Sequence, residues 1–390
     1  MKITGYRTLR THRNWGRPVG DVNGFIASGI TEVSVLILET DAGLEGVGIG
    51  SDHGVAELFP AIEGRDPRAV ISLYDSLLAR SFKAGHVGAT FGGIAILDSA
   101  FWDLKAKAVD QPLWRLLGAE DRFVPGYASG LDIALDDEAL VAFYQEMAQR
   151  GFTAGKLKGG RDAEADIRRL LLMRDALGER TRRPALMLDA NESWHLKQAV
   201  RYVAEVEQAV DLTWIEEPLR RWDVEGHKRL SAQVRASVAT GENLTGLEQF
   251  RALLARGAAD ILQTGAVWGI THFLRVAGAA LAHDVPVSPV GLTANPAVAH
   301  AAAATPNHLS AEVQDLGAPF GVTVDQEYDG GGIVLGDHIG AGITIDETLI
   351  RTEDAHGNWR EAAGPHVRPS RAGFALTFPS HLATESEPRN

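Results

Sequence analysis

Three short stretches decide the fold: Leu186-Met187-Leu188-Asp189-Ala190-Asn191, Leu212-Thr213-Trp214-Ile215-Glu216-Glu217-Pro218 and Ser237-Val238-Ala239-Thr240-Gly241-Glu242-Asn243. Each is an apolar run of strand length that ends in an acid. Asp189, Glu216 and Glu242 are spaced 27 and 26 residues apart (216 − 189 and 242 − 216), the length of one strand–helix step. In a barrel built of such steps, consecutive strand ends are neighbours on the C-terminal face, where active sites form. Three carboxylates converging there repel one another unless a cation neutralises them. Oxygen ligands of this kind suit a hard divalent cation such as Mg²⁺, which keeps positions open for water and substrate. One acid at a strand end is often only a helix cap or a solvated side chain. Three at successive strand ends ask for another explanation.

The same rhythm runs outward from Val124 to Val313. Strands are expected at Val124–Ser129, Ala154–Lys158, Ala185–Asp189, Leu212–Glu216, Ser237–Glu242, Asp260–Gln263, Val285–Pro289 and Leu309–Val313. Amphipathic helices are expected at Asp137–Arg150, Ala163–Leu177, Leu196–Ala209, Leu247–Arg256 and Thr271–Ala282. This alternation argues for βαβ units and a parallel sheet, and eight such strands close most economically as a barrel. An open, doubly wound sheet is the alternative, but no GxGxxG follows a strand. Ahead of the barrel, Val33–Thr40, the turn Asp41-Ala42-Gly43 and Leu44–Ile49 read as a hairpin. Helical patterns follow at Pro67–Ala79 and Gly93–Ala108, whereas Asn14–Asp21, rich in Gly and Pro, reads as a loop. After Asp325, the stretch Tyr328–Leu335 reads as a loop entering a strand, and Thr384–Asn390 as a frayed polar end.

The second barrel strand ends in Lys156-Leu157-Lys158. Lysines two apart on a strand share a face, here the barrel mouth beside the acids. Two adjacent cations near a metal lower each other's pKa, which suits one of them to act as a base.

Asp189-Ala190-Asn191, Ile215-Glu216-Glu217-Pro218 and Gly241-Glu242-Asn243 resemble the three metal-ligand motifs of the mandelate racemase subgroup of the enolase superfamily, and Lys156-Leu157-Lys158 resembles its Lys-x-Lys motif. The resemblance covers nearly the whole chain. It implies an α/β fold: a modified (β/α)7β TIM-like barrel at residues 123–324, under an α+β capping domain built from both termini, 1–122 and 325–390. It implies Mg²⁺ held by Asp189, Glu216 and Glu242, a small-molecule carboxylate substrate, and removal of the proton α to that carboxylate with stabilisation of the resulting enediolate. Lys158 is cast as the base and Lys156 as electrostatic support. Asn191 and Glu312 are cast as groups at the substrate. Trp15 and Arg17 fall in a loop that closes over it, where Arg17 would pair with a distal carboxylate or hydroxyl. Glu217 would point away by strand alternation and support the site from behind. A homo-oligomer also follows from the resemblance.

The pattern breaks at one place. Many members with this lysine motif carry a His at the end of the seventh strand, paired with an Asp from the sixth. Here Val290 stands in the first position, and Gln263 or Gly265, depending on registration, in the second. Asp260 begins the sixth strand and belongs to the opposite, stability face. Racemisation needs a base on each face of the carbanion, so the break favours one-base chemistry: Lys158 takes the α-proton and returns it to a departing β-hydroxyl, dehydrating a sugar acid or other hydroxy carboxylate to a 2-keto acid. A racemase, epimerase or cycloisomerase on the same scaffold is the alternative, with His53 or His86 of the first domain as a substitute base. A non-catalytic, carboxylate-binding descendant of the fold is a third. His195 and His300 fall in or beside helices and read as structural or exposed.

Composition narrows the classes further. A formal net charge of −13 argues against nonspecific nucleic-acid binding, which needs clustered cations. The chain has no cysteine, which excludes disulfides and thiolate metal sites. Met1-Lys2-Ile3-Thr4-Gly5-Tyr6-Arg7 has no apolar signal core, and no run approaches a membrane span. A cytoplasmic enzyme is the expectation.

Overall fold

A computed structural model describes residues 1–357 and 359; the polar end at Thr384–Asn390 lies outside them. The chain begins with strands β1 (Ile3–Asn14), β2 (Val19–Asp21), β3 (Gly24–Ile26), β4 (Ile30–Thr40) and β5 (Glu45–Gly50), followed by helices α1 (Val55–Leu58), α2 (Val70–Arg80), α3 (Ala89–Lys107) and α4 (Leu113–Leu116). β1, β4 and β5 form an antiparallel sheet. Its face packs on α3, which is buried nearly all round. The approach is so close that a Cβ at Gly48 would lie 2.1 Å from the Ile96 carbonyl oxygen, so only glycine fits there. Of the stretch expected as a loop over 14–21, residues 15–18 are one, whereas 19–21 form β2, which pairs with β3 in the hairpin 19–26.

The barrel follows: β6 (Phe123–Ser129), α5 (Asp137–Gln149), β7 (Ala154–Lys158), α6 (Ala163–Leu177), β8 (Ala185–Asp189), α7 (Leu196–Val206), β9 (Leu212–Glu216), α8 (Val224–Ser231), β10 (Ser237–Thr240), α9 (Leu247–Arg256), β11 (Ile261–Gly265), α10 (Ile270–Leu281), β12 (Val287–Val290), α11 (Val298–Ala303) and β13 (Ala311–Val313). The strands pair in parallel in sequence order from β6 to β12, and β13 pairs with β6. A bridge between Val287 and His308 joins β12 to the segment before β13 and closes the ring. Eight strands with seven intervening helices make the (β/α)7β barrel. Helices start where a side chain takes over an orphan backbone N–H: Asp136, Asp162 and Asp223 cap α5, α6 and α8 by accepting from Ala139, Ala165 and Gly226. His195 does the same for Gln198 at α7. Inside the ring, Tyr127, Met187, Trp214, Ala239 and Ile261 form an apolar plug beneath the polar mouth.

The last described elements are β14 (Val322–Val324), β15 (Gln326–Asp329), β16 (Gly332–Leu335), β17 (Ile343–Ile345) and α12 (Glu347–His356). β16 pairs antiparallel with the first half of β6, and β15 with β16. β14 pairs with β17. α12 lies against β1, where Glu347 meets Arg7 at 2.7 Å. Among the described residues no helix is long and apolar enough to cross a membrane.

Cap and barrel are joined by buried polar contacts. Asp98 of α3 accepts from the Thr271 backbone N–H at 2.7 Å and its hydroxyl at 2.5 Å, capping α10 from outside the barrel. Arg13 of β1 reaches Asp315 at 2.9 Å and the Gly317 carbonyl at 2.8 Å, beyond the end of β13. This docking sets the first domain over the C-terminal ends of the barrel strands.

Candidate active site

Asp189 and Glu216 are the last residues of β8 and β9 and stand in register with each other. Lys158, last in β7, is in register with Asp189. Glu242 comes two residues after β10 has ended, carried out by Gly241 at φ 126°. A Cβ at Gly241 would meet the Gln263 carbonyl at 2.6 Å, so glycine is needed for the turn. The three acids and two lysines thus end four consecutive strands on one rim.

Their contacts are direct. The Lys156 ammonium, fully buried, pairs with Glu216, with Glu312 at 2.9 Å and with Asp189 at 3.4 Å. It also lies 5.5 Å from the Tyr127 ring centroid, a cation–π geometry. Lys158 pairs with Asp189 at 2.5 Å. The second oxygen of Glu216 accepts from the Trp214 indole at 3.0 Å and the Gln263 amide at 2.7 Å. Asp189 also accepts the Asn191 backbone N–H at 2.9 Å.

Electrostatics follow from this geometry. Burial works to lower both ammoniums, but carboxylates outweigh it. Glu216 and Glu312 hold Lys156 well above the usual lysine range, and Asp189 does the same for Lys158. The mutual lowering expected of two adjacent lysines is therefore overridden in the chain alone, because each cation has a carboxylate closer than its neighbour. Burial disfavours the Asp189 carboxylate too, yet Lys158 and Lys156 hold it down at about 2. Glu312, buried, is likewise held below its usual value by the two lysines. Burial, with Asp189 and Glu242, pushes Glu216 up. Burial and Asp189 push Glu242 up. Burial, with the nearby Glu242 and Glu192, pushes Glu217 well above the usual carboxylate range.

The donor set suits a divalent cation. Asp189, Glu216, Glu242 and Glu312 present four carboxylates against the two ammoniums of Lys156 and Lys158, an excess of two negative charges in a largely buried space. One hard dication balances that excess with the oxygen ligands it prefers. The cage is not preformed: among the described residues no three such donors already converge in metal-binding geometry, since the lysines take up Asp189 and Glu216.

The remaining expected residues divide. Glu312 is at the site, its other oxygen accepting the Gly291 N–H at 2.7 Å. Asn191 follows Asp189 at φ 43°, and its carbonyl accepts from Asn23 of the hairpin at 3.2 Å. Arg17 reaches the Gln314 carbonyl at 3.5 Å, just past β13, and stacks 4.8 Å from the Phe143 ring centroid. One of its terminal nitrogens is buried without a partner. Trp15 is held within the cap, its indole donating to Thr31 at 3.0 Å. His86 is engaged by Glu248 at 3.2 Å and the Leu78 carbonyl at 3.0 Å, and His53 is exposed. His195 caps α7, and His300 is buried between the Trp114 N–H and the Ala341 carbonyl. Asp260 sits at the far end of the barrel, accepting from Val238 and Ser231. Gly265 and Val290 are partners in the β11–β12 ladder, so small and apolar groups end those strands.

Glu217 does not simply point away. The chain has left the strand at φ 40°, and Asn243 bridges Glu217 at 2.8 Å to Glu242 at 3.1 Å. Sequence reasoning also missed the donors on Glu216. Trp214 shares its face by strand alternation and was there to be found. Gln263 was noticed only as a missing acid.

Residues 13–118 match the family described as mandelate racemase / muconate lactonizing enzyme, N-terminal domain, and residues 139–349 match the enolase C-terminal domain-like family. L-talarate/galactarate dehydratase of Salmonella typhimurium LT2 is 34% identical over 275 residues, 67% of this chain and 68% of that one. Its crystal structure with Mg and L-lyxarohydroxamate superposes with a TM-score of 0.78 at 28% identity, covering 90% of this chain and 92% of that one. The 3,6-anhydro-α-L-galactonate cycloisomerase of Streptomyces coelicolor is 29% identical over 328 residues, 81% of this chain and 89% of that one. A racemase from Streptomyces coelicolor A3(2), crystallised with bound magnesium, superposes with a TM-score of 0.80 at 28% identity, covering 90% of this chain and 99% of that one.

Proposed function

The chain belongs to the enolase superfamily, in its mandelate racemase/muconate lactonizing enzyme branch, and from that premise we propose that it is a Mg²⁺-dependent lyase that dehydrates an acid sugar to a 2-keto acid. Asp189, Glu216 and Glu242 would hold the cation. When bound, it supplies a Lewis acid for the charge that builds on the substrate carboxylate.

The chain's own residues do the rest. Lys156, fixed by Glu216 and Glu312, keeps a positive charge under the carboxylate without leaving its place. Glu312, held by the Gly291 N–H, orients from the other side. Lys158 sits at the rim and would take the proton from Cα as a neutral amine, a form open to it when a cation rather than its own ammonium balances Asp189. The electron pair of that C–H bond passes into the Cα–Cβ bond as the β-hydroxyl leaves, and the hydroxyl takes its proton back from Lys158 as water. The enol tautomerises to the 2-keto acid. Arg17, with a buried nitrogen unpartnered, binds the distal carboxylate or hydroxyl.

The observation that carries this reading is the asymmetry of the rim. Lys158 stands on one side with Asp189, while β11 and β12 end in Gln263, Gly265 and Val290, and Gln263 is committed to Glu216. One base without an opposed partner fits loss of a β-hydroxyl better than inversion at Cα. The test is turnover of a panel of hexarates, hexonates and pentonates with Mg²⁺, with and without chelator. Mg²⁺-dependent 2-keto acid from at least one member is expected, and no keto product from any would overturn the reading. The cycloisomerase relative supports a second reading on the same site. It is favoured if Cα–H exchanges with solvent deuterium while no keto acid forms.

A further inference from the structure

We propose that Asp132 and Tyr144 are positioning residues that tie the lysine-bearing strand to the capping hairpin, so that docking of the hairpin and placement of Lys158 are one event. After β6 the chain turns through Gly130 and Leu131, the latter in the left-handed region at φ 48°, and delivers Asp132 into full burial. One oxygen of its carboxylate accepts the Lys158 backbone N–H at 2.9 Å. The other lies 2.8 Å from the Tyr144 hydroxyl, which is 2.7 Å from the Lys156 carbonyl. Asp132 thus holds the Lys158 backbone directly, and the Tyr144 hydroxyl, with one proton to share between them, spans Asp132 and the Lys156 carbonyl at the end of β7. Arg169 fixes Asp132 in turn, donating to its carbonyl at 2.6 Å.

The hairpin 19–26 holds the same turn from the other side. The Gly20 N–H donates to the Leu131 carbonyl at 2.9 Å, and Gly20 and Asp132 form a parallel bridge. Arg161 donates to the Val22 carbonyl at 2.7 Å, and Asn23 to the Asn191 carbonyl at 3.2 Å. The hairpin thus contacts the loops after β6, β7 and β8 at Asp132, Arg161 and Asn191, just past the strands that carry the lysines and Asp189. Buried hydrogen bonds to a carboxylate are among the strong ones, and losing one partner leaves the other unsatisfied. Opening the hairpin must therefore loosen Asp132, and with it the β7 end. A base displaced by about 1 Å loses on the order of a hundredfold in rate. Casting Lys158 as the base rests on the proposed function; the mechanical link does not.

Gly20 supplies a clean perturbation, because a Cβ there would lie 2.3 Å from the Gly24 carbonyl and 2.4 Å from the Phe25 Cα. Gly20→Ala must spring the hairpin at its bridge to Asp132 while leaving the Asp132 side chain and both lysines unaltered. The experiment is hydrogen exchange by mass spectrometry on the full chain, comparing wild type with Gly20→Ala, Asp132→Ala and Asp132→Asn. Gly20→Ala is expected to speed exchange in 19–26 and, by about tenfold, in the amides of 156–159. Asp132→Ala is expected to speed both from the other end. Asp132→Asn keeps an acceptor for the Lys158 N–H and should restore protection, a rescue that a general loss of packing would not give. Gly20→Ala that opens the hairpin while 156–159 exchange as in wild type overturns the proposal, and it decides the matter even if Asp132→Ala fails to fold. Exchange needs no substrate, so failure of the turnover panel leaves this test standing.

Discussion

Replacing Lys156 with methionine removes one charge and little volume from the centre of the site. The ammonium is fully buried and pairs with Glu216, Glu312 and Asp189. Methionine is unbranched and fills irregular space, so the change tests charge, not packing. Four carboxylates would then face one ammonium in place of two. Breaking a buried ion pair by removing one partner costs about 3–5 kcal/mol. Unfolding entropy of roughly 2.1 cal/mol/K per residue over 390 residues gives about 0.8 kcal/mol per kelvin. A loss of about 4 kcal/mol then lowers Tm by about 5 °C. The assay is thermal unfolding followed by circular dichroism in EDTA and in Mg²⁺. In EDTA the variant should melt about 5 °C below wild type. Mg²⁺ should raise its Tm by more than it raises that of wild type, because the cation now offsets a larger excess of negative charge. A variant as stable as wild type in EDTA would refute the claim that this ammonium holds the carboxylates together.

Further predictions concern metal, pH and specificity. Glu242→Gln removes a carboxylate that forms no direct lysine ion pair among the described residues; it should abolish most of the Mg²⁺-dependent rise in Tm while leaving the EDTA melt near wild type, and an undiminished Mg²⁺ response would exclude Glu242 as a ligand. His272, His300 and His308 are each lowered by burial to about 4, so the unfolded chain binds protons that the native state refuses. Their contribution, up to about 3 kcal/mol each, is present above pH ~6.5 and lost as pH falls towards 4. Asp98 and Asp166, raised by burial to about 6, act oppositely between about pH 4 and 6. The raised acids Glu216, Glu217 and Glu242 pull the same way as the two aspartates, so the histidine contribution is read by difference: on acidification from about pH 7 to 4 the urea midpoint of wild type should fall more steeply than that of His272→Gln, and parallel profiles would contradict this. Arg17→Ala should raise KM for a diacid substrate by about tenfold or more, with a smaller effect on a monoacid, and equal effects on both would remove Arg17 from the distal end.

How much of this was legible in the sequence differs by residue. The β8 and β9 ends were legible because a parallel strand buried on both faces reads as a near-continuous apolar run, and these runs stop at Asp189 and Glu216. Glu242 was placed at a strand end but lies beyond it, since Gly241 ends the ladder at Thr240. The helix α8, Val-Glu-Gly-His-Lys-Arg-Leu-Ser, was missed because it is short and polar and its signal is one cap, Asp223. The helix α11 is buried along most of its six residues, so it shows no amphipathic period. The hairpin 19–26 was hidden by its two glycines, by Pro18 just ahead of it and by a ladder only three residues long. Asp132 carried no local signal: it lies in a turn, and its partners are at positions 144, 158 and 169, which only the closed barrel brings together. The charge state of the lysines was also out of reach, because it depends on which carboxylate comes nearest.

The central claim is that Lys158, beside a Mg²⁺ site of Asp189, Glu216 and Glu242, removes the α-proton. Its most direct test is ¹H NMR of an acid-sugar panel in D₂O with Mg²⁺, comparing wild type and Lys158→Ala at matched Mg²⁺ saturation. Wild type should consume the Cα–H signal of a substrate as 2-keto acid accumulates, and the variant should leave that signal untouched. Loss of the Cα–H signal at the wild-type rate in Lys158→Ala would contradict the account.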